Sequence, residues 1–272
     1  MKSNLQIIAG HKNGKSYLKH CYSEQPFKVA NVTEEKMEDL LCLMMTSSSP
    51  GVLDNDNYSM KINIEEHAKI NLLTQGYQRL FTMTNKANLL INVDVQNNGL
   101  FYYLPHPTVP HKSSNYISVS NIFLEKSHQF LWSEIITSGR KLNGEEFTFT
   151  AFRSTTNIYL EKKLCVKEVI FLEPAKINIH AIGQMEGFTH QSTLFYIDNE
   201  IDIKMIRDAC LKLLSAINEI TFGISILTVN GLVIRIMGFK GEKLFDCHNK
   251  VAALIRERRV EHKKIKVYTE TY

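Results

Sequence analysis

The 272-residue sequence lacks the features that mark secretion, membrane insertion or a disulfide framework. Its longest apolar run, Leu40–Met45, is far shorter than the ~20 residues of a membrane-spanning helix. The N-terminus has no apolar core of signal-peptide length. The five cysteines lie far apart and form no C-x-x-C pair, which is typical of free thiols in a reducing compartment. We therefore expect a cytoplasmic protein with no membrane association.

Motifs of the common enzyme classes are also missing. Gly10–Ser16 (GHKNGKS) is similar to a phosphate-binding loop, but its glycines are one residue too close for successive N–H groups to surround a phosphate. We interpret this segment as a turn. The sequence contains neither the G-x-S-x-G nucleophile elbow nor the H-E-x-x-H zinc motif. No catalytic residue is predicted.

The net charge of +4 is a mild excess that is concentrated near the end of the chain. Arg256, Arg258 and Arg259 precede a basic tail, residues 261–272. Cations suit a helix C-terminus, so these residues form either a solvated helix end or a docking surface for an acidic partner. No aromatic residues alternate with the basic ones as in a nucleic-acid-binding surface, so no nucleic-acid partner is predicted.

Short runs of β-branched and aromatic residues recur along most of the chain and predict a mainly β fold. Ala87–Val95 alternates most clearly, and the turn Asn97–Gly99 follows it. The other predicted strands are Met60–Ile64, Lys69–Thr74, Leu100–Leu104, Tyr116–Leu124, Gln129–Thr137, Glu146–Phe152, Thr156–Leu160, Leu164–Leu172, Lys176–Ile182 and Ser192–Ile197.

Two α-helices are predicted in the C-terminal third. The first runs from the cap Asp202 to about Glu219, and the second runs from about Glu242 to Arg259. A hairpin, Thr221–Val229 with Leu232–Met237, separates them. We expect a single domain with a β body over about 1–200, a helix–hairpin–helix portion over about 201–260 and the basic tail. Periodicity alone leaves Thr33–Met45 open between a helix and, at Leu40–Thr46, a buried strand.

Two groups of side chains are candidates for metal chemistry. Glu134 falls on the same strand face as Trp132 and Ile136, and a carboxylate on an apolar face needs a partner. Arg140 is its expected partner in a structural ion pair; alternatively, Glu134 is an oxygen ligand or part of an internal passage. His106 and His111 lie in a proline-rich extended segment, where they serve either a structural role or binding of a borderline metal such as nickel.

Four segments in order resemble the UreD family of urease accessory proteins, called UreH in some systems. They are Ser49–Asp56 (SPGVLDND), Thr74–Leu80 (TQGYQRL), Leu100–Pro110 (LFYYLPHPTVP), and Glu134–Arg140 (EIITSGR) with Gly144–Phe147 (GEEF). The resemblance spans roughly residues 14–258. Asn55 and Arg79 depart from it, because the family usually has Gly and Lys there.

The resemblance implies a helicoid-like body of packed β-sheets with two helices, and a strand at Leu40–Thr46. It also implies a non-enzymatic scaffold that binds UreF, the GTPase UreG through UreF, and apo-urease; a dimer of this heterocomplex is compatible with it. Such a scaffold passes nickel through an internal passage into the urease active site, holds nickel only transiently, and has no tightly bound cofactor.

Residue roles follow from the same resemblance. Asp56, Glu134 and Glu145 are the candidate passage-lining carboxylates. The motif residues expected to be structural are Gln75, Arg79, Pro105, Gly139 and Arg140. Arg256, Arg258 and Arg259 are the candidate docking residues for UreF.

Two other functions remain open at this point. A stand-alone cytosolic metal-binding protein would need convergent Cys and His ligands, which the spacing does not favour. A hydrolase built on a β scaffold would need two carboxylates ~5–10 Å apart in a cleft.

Overall fold

The computed structural model describes the backbone of residues 1–34 and 39–270 and, within these ranges, side chains up to His262. Strands dominate, as predicted. They are β1 Lys2–Lys12, β2 Lys15–Ser23, β3 Phe27–Asn31, β4 Leu41–Ser47, β5 Asn57–Ile64, β6 Lys69–Thr74, β7 Gln78–Leu80, β8 Ala87–Val95, β9 Gly99–Tyr103, β10 Thr108–Pro110, β11 Asn115–Leu124, β12 His128–Thr137, β13 Ala151–Leu160, β14 Lys163–Leu172, β15 His190–Asp198, β16 Ile220–Ile226 and β17 Gly231–Gly238. The helices are α1 Ile203–Ser215 and α2 Gly241–Glu270, with a 3₁₀ turn at Lys141–Asn143.

The strands form two sheets. Sheet A has the order β14-β13-β11-β8-β5-β1-β2, and sheet B has the order β16-β17-β15-β12-β9-β6-β4-β3, with β7 and β10 beside it. Between β4 and β13 the main strands alternate between the sheets, and neighbours in this part of each sheet are parallel. The chain therefore coils through both sheets, which confirms the mainly β, two-sheet body expected from the resemblance.

Sheet A, sheet B and the two helices form three layers, with sheet B in the middle. One core fills the space between the sheets, and a second lies between sheet B and the two helices. Strand alternation divides β12 between them: Phe130 and Trp132 face sheet A, whereas Leu131 and Ile135 face the helices. Glu134, in step with Trp132, faces sheet A.

Both helices lie where the sequence predicts them. Asp202 caps α1 by accepting a hydrogen bond of 2.9 Å from the backbone N–H of Lys204. This helix ends earlier than predicted, at Ser215, because the N–H groups of Ala216 and Ile217 bond three residues back, to Leu213 O and Leu214 O. The second helix continues past Arg259, since no glycine or proline interrupts it before Glu270. The side chains of the basic tail beyond His262 lie outside the described residues.

One predicted strand is absent, and two others are joined. Lys176–Ile182 forms turns, where Lys176 N–H bonds to Glu173 O and Ala181 N–H bonds to Asn178 O. The backbone groups of this segment bond to residues close by in the sequence and therefore form no ladder with another strand. The two strands predicted at Glu146–Phe152 and Thr156–Leu160 are one continuous strand, β13, and Phe147 lies outside it with a φ of 52°.

Near the N-terminus, the structure contains three strands that were not predicted, and it decides the conformation of one ambiguous segment. Strands β1 to β3 were not predicted: the buried face of β1 includes the small residues Ser3 and Ala9, β2 is largely exposed, and β3 has only five residues. The ambiguous Leu40–Thr46 segment is strand β4, as the resemblance implied. Residues 35–38 lie outside the described part of the chain.

Candidate functional site between the sheets

A cavity of about 440 Å³ lies between the sheets. Its apolar walls include Met60 and Ile91 from sheet A and Tyr103 and Trp132 from sheet B. It extends to the surface at the loop that contains the exposed Gly76. The cavity is large enough for a hydrated ion.

Polar side chains occupy part of this otherwise apolar interior. Ser118 and Ser120 of β11 and Ser154 of β13 line the cavity and are buried. They were missed because β11 inverts the usual pattern: its serines point inward while Ile117 and Val119 lie on the more exposed face. An inward row of small polar residues at every second position is the signal that could have identified them.

Glu134 is the predicted candidate carboxylate that lies in the cavity lining, on the strand face that alternation predicts. Its Oε2 accepts a hydrogen bond of 2.8 Å from Ser154 Oγ across the space between the sheets. Burial raises the pKa of Glu134 to about 7, and the negative charge of Glu168 adds to this increase, whereas the Ser154 bond opposes it. Near neutral pH the group can therefore hold a proton or offer a carboxylate to a cation.

Two tyrosines beside Glu134 provide neutral oxygens. Burial raises the pKa of Tyr103 and Tyr116 well above the ordinary value, and the charge of Glu134 raises both further. Both phenols stay protonated at physiological pH. Among the described residues that line the cavity, Glu134 is the single carboxylate.

Three of the predicted motif residues, Gln75, Arg79 and Pro105, line the outer part of the cavity. His106 also lines this outer part. Its backbone N–H donates to Thr74 Oγ1 at 2.9 Å. Its ring stacks on Phe245 of α2 with a centroid separation of 4.3 Å. Burial lowers the pKa of His106, which favours the neutral imidazole. The contact between His106 and Phe245 connects the outer part of the cavity with helix α2.

His111, the other candidate histidine, is buried away from the described lining. Its ring packs on Phe81 with a centroid separation of 4.8 Å. The structure therefore does not bring the two histidines together in one site.

The prediction of an ion pair between Glu134 and Arg140 is wrong. Arg140 lies past the end of β12, and its Nε donates to Glu145 Oε2 at 2.9 Å, with a second contact from Nη2 to Oε1. The backbone N–H of Lys112 also donates to Glu145. Gly139, with a φ of 126°, approaches the Glu145 carbonyl so closely that a Cβ would be 2.7 Å from it. These residues hold a loop together, and Glu145 lies outside the described cavity lining.

Asp56, the third candidate carboxylate, is buried beside the cavity but outside its described lining. It accepts hydrogen bonds from Leu53 N–H at 2.8 Å and Tyr58 Oη at 2.6 Å. Tyr58 itself reaches the cavity. Asp56 therefore positions a lining residue and closes the turn in which Asn55 has a φ of 64°.

The candidate docking arginines differ in their surroundings. Arg259 is largely buried and donates to Asp198 at 2.9 Å and Glu200 at 2.6 Å. Arg256 lies 5.9 Å from the ring centroid of Tyr102. Arg258 pairs with Glu261 at the surface. The docking role of all three remains a prediction.

The described residues provide a largely apolar cavity with a few oxygen donors rather than a metal centre or a paired-carboxylate site. Among them, no group of three or more His, Cys, Asp and Glu side chains is arranged to hold a metal ion. The oxygen donors that the described lining offers are one carboxylate and several neutral hydroxyls. In the described part of the chain, no helix is both long and apolar enough to cross a membrane.

Comparison with known proteins gives a consistent family. The family model described as UreD urease accessory protein matches residues 1–267. A urease accessory protein UreD from Flavobacterium johnsoniae is 39% identical over 252 residues, covering 92% of this chain and 91% of that protein. Proteins of the same name from Acetivibrio thermocellus (33% identical; 89% and 93% covered) and Haemophilus influenzae (30% identical; 90% and 94% covered) are also similar. The chain belongs to the UreD family of urease accessory proteins.

Proposed function

We propose that this chain is a non-enzymatic urease maturation factor that conducts nickel through the cavity between its sheets into the urease active site. The observation that carries this proposal is the placement of Glu134, whose carboxylate faces a cavity of about 440 Å³ among neutral oxygen donors. Nickel is the cargo of this protein rather than a resident cofactor.

Weak coordination suits a passage. A divalent ion is stabilised by a carboxylate in a partly dehydrated space, yet one carboxylate with seryl and phenolic oxygens binds nickel less tightly than a His and Cys cage would. Ser118, Ser120 and Ser154 can replace part of the hydration shell of the ion and release it again. Near neutral pH, Glu134 is protonated part of the time. A nickel ion that binds the carboxylate displaces this proton.

The proposed partners are apo-urease, UreF and, through UreF, the GTPase UreG, all in the cytoplasm. We place the UreF contact on the C-terminal third of the chain. The His106–Phe245 stack supports this placement, because it joins the outer part of the cavity to α2. A partner that docks on this helix would lie next to the route by which an ion enters.

The maturation role is tested by deleting the gene in cells that carry the cognate urease operon, at fixed nickel. The proposal predicts nickel-free urease and loss of urease activity, both restored by the intact gene. Fully metallated, active urease in the deletion strain would contradict it. Equilibrium dialysis of the isolated chain against nickel separates the alternative, because a stand-alone binding protein would hold nickel tightly and stoichiometrically.

A further inference from the structure

Strand β16 is an edge without the usual protection against strand pairing. Within the described residues it hydrogen-bonds to one strand, β17, and forms the end of sheet B. Its sequence, ITFGISI, contains no charged residue and no proline. Natural sheets normally interrupt exposed edges with charges, prolines or very short strands.

In the described part of the chain, the three strands at the other ends of the two sheets show such protection. Strand β2 carries Lys15 and Lys19, strand β14 carries Lys163 and Lys167, and β3 is only five residues long and contains a lysine. The contrast within one molecule indicates that β16 is kept free of charge for a reason other than local folding.

The free edge presents backbone groups at alternate residues. Leu227 N–H bonds to Gly231 O at 2.9 Å and closes the β16–β17 hairpin. Because hydrogen-bonded pairs alternate along an antiparallel ladder, Thr221, Gly223 and Ser225 bond to β17. The N–H and C=O groups of Phe222 and Ile224 therefore point away from β17, toward the open side of the sheet.

The order of residues in β16 is complementary to itself. Antiparallel pairing about Gly223 places Ile220 of one copy opposite Ile226 of the other, Thr221 opposite Ser225, and Phe222 opposite Ile224. Phe222 and Ile224, whose backbone groups point outward, then form the hydrogen-bonded pairs, so the register matches the available donors and acceptors. Apolar side chains lie opposite apolar ones and hydroxyl side chains lie opposite hydroxyl ones, and the strand contains no charges that would repel each other.

We propose that two copies of this chain associate by antiparallel pairing of their β16 strands about a two-fold axis at Gly223, so that the two B sheets become continuous. A contact between two seven-residue strands is smaller than the ~1,200 Å² of standard interfaces, so the dimer forms weakly, roughly in the micromolar range. This dimer is independent of the nickel passage, since β16 contributes no residue to the described lining of the cavity.

Exposed Thr221 and Ser225 allow a direct test, because the proposed register places them opposite each other across the axis. Sedimentation velocity of the purified full chain over about 1–200 µM gives the dissociation constant of the wild-type dimer. The double variant Thr221→Lys/Ser225→Lys sets like charges opposite each other and is expected to weaken the dimer at least tenfold. The double variant Thr221→Lys/Ser225→Glu sets opposite charges together and is expected to restore it.

The two double variants share the Thr221→Lys change, so a loss of folding would affect both, and circular dichroism melting checks this. A matched edge control is Val169→Lys on β14, which is expected to leave association unchanged. A wild-type chain that stays monomeric throughout, or association that the Lys/Lys variant does not weaken or the Lys/Glu variant does not restore, overturns the proposal.

Discussion

Ser154 of sheet A donates a hydrogen bond of 2.8 Å to Glu134 of sheet B, across the cavity that separates the two sheets. This bond stabilises the ionised carboxylate in a place where burial disfavours it. The charge state of the cavity therefore depends on a neutral hydroxyl in the opposite sheet.

Removing this hydroxyl should raise the pKa of Glu134 above its value of about 7. Ser154→Ala takes away a donor that favours the charged form. The measurement is a side-chain ¹³C NMR titration of Glu134. Ser118→Ala, in the register position beside Ser154, is the matched control and should leave the titration unchanged. A pKa that Ser154→Ala leaves unchanged or lowers would contradict the role of this bond.

Buried His248 should make the folded chain sensitive to acid. Both of its ring nitrogens lack a described partner, and burial lowers its pKa to about 3 from the ordinary 6.5. The unfolded chain takes up this proton near pH 6.5, whereas the folded chain does so only near 3. Its contribution to the free energy of unfolding is thus complete above pH 6.5 and falls between 6.5 and 3, by up to ~1.4 kcal/mol per pH unit.

His248→Leu is expected to remove this part of the pH dependence and to raise the free energy of unfolding by about 1–3 kcal/mol, since it replaces an unpaired buried polar group. Urea titrations at pH 7.5, 5.5 and 4.5 measure the effect. A variant whose stability falls with acid as steeply as that of the wild type would show that His248 is not responsible.

Arg259 should contribute to folding more than to docking. Its ion pair with Asp198, a residue with no exposed surface, means that Arg259→Ala leaves a buried charge unpaired. We expect a loss of about 3–5 kcal/mol in the free energy of unfolding. Arg258→Ala is the matched control on the same helix: its surface pair with Glu261 contributes less than ~1 kcal/mol. Equal, small losses in both variants would favour the docking interpretation for Arg259.

Gly139 and Gly144 offer a paired test of the loop held by Arg140 and Glu145. Both have positive φ, but a Cβ at Gly139 would lie 2.7 Å from the carbonyl of Glu145, whereas nothing lies within 4 Å at Gly144. Gly144→Ala should cost about 1 kcal/mol for its backbone strain alone. Gly139→Ala should cost more than twice that and lower the melting temperature further. Similar melting temperatures for the two variants would contradict the close approach.

The sequence predicted those features that depend on local periodicity. The limits of β8 match the prediction at both ends, and the two helices and the hairpin between them were located. The strand predicted at Lys176–Ile182 failed because a run of strand-forming residues needs a partner that only the tertiary fold supplies.

Prediction of the site was limited by similar physical causes. The face of Glu134 followed from strand alternation, but its partner did not, because Ser154 lies twenty positions away in the other sheet. Arg140 was the nearest opposite charge in the sequence, yet the loop that follows β12 directs it to Glu145. The inward serines of β11 were missed because apolar residues fall on both faces of this strand, so alternation did not identify its inward face.

The nickel content of urease matured with Glu134→Gln tests the account most directly. Urease is purified from cells grown at limiting fixed nickel, and nickel per active site is measured by mass spectrometry. Glu66→Gln, whose side chain is 62% exposed outside the cavity, is the matched control. The account predicts normal co-purification of both variants with urease, a several-fold loss of nickel with Glu134→Gln, and full nickel with Glu66→Gln. Full nickel with Glu134→Gln would contradict conduction past this carboxylate.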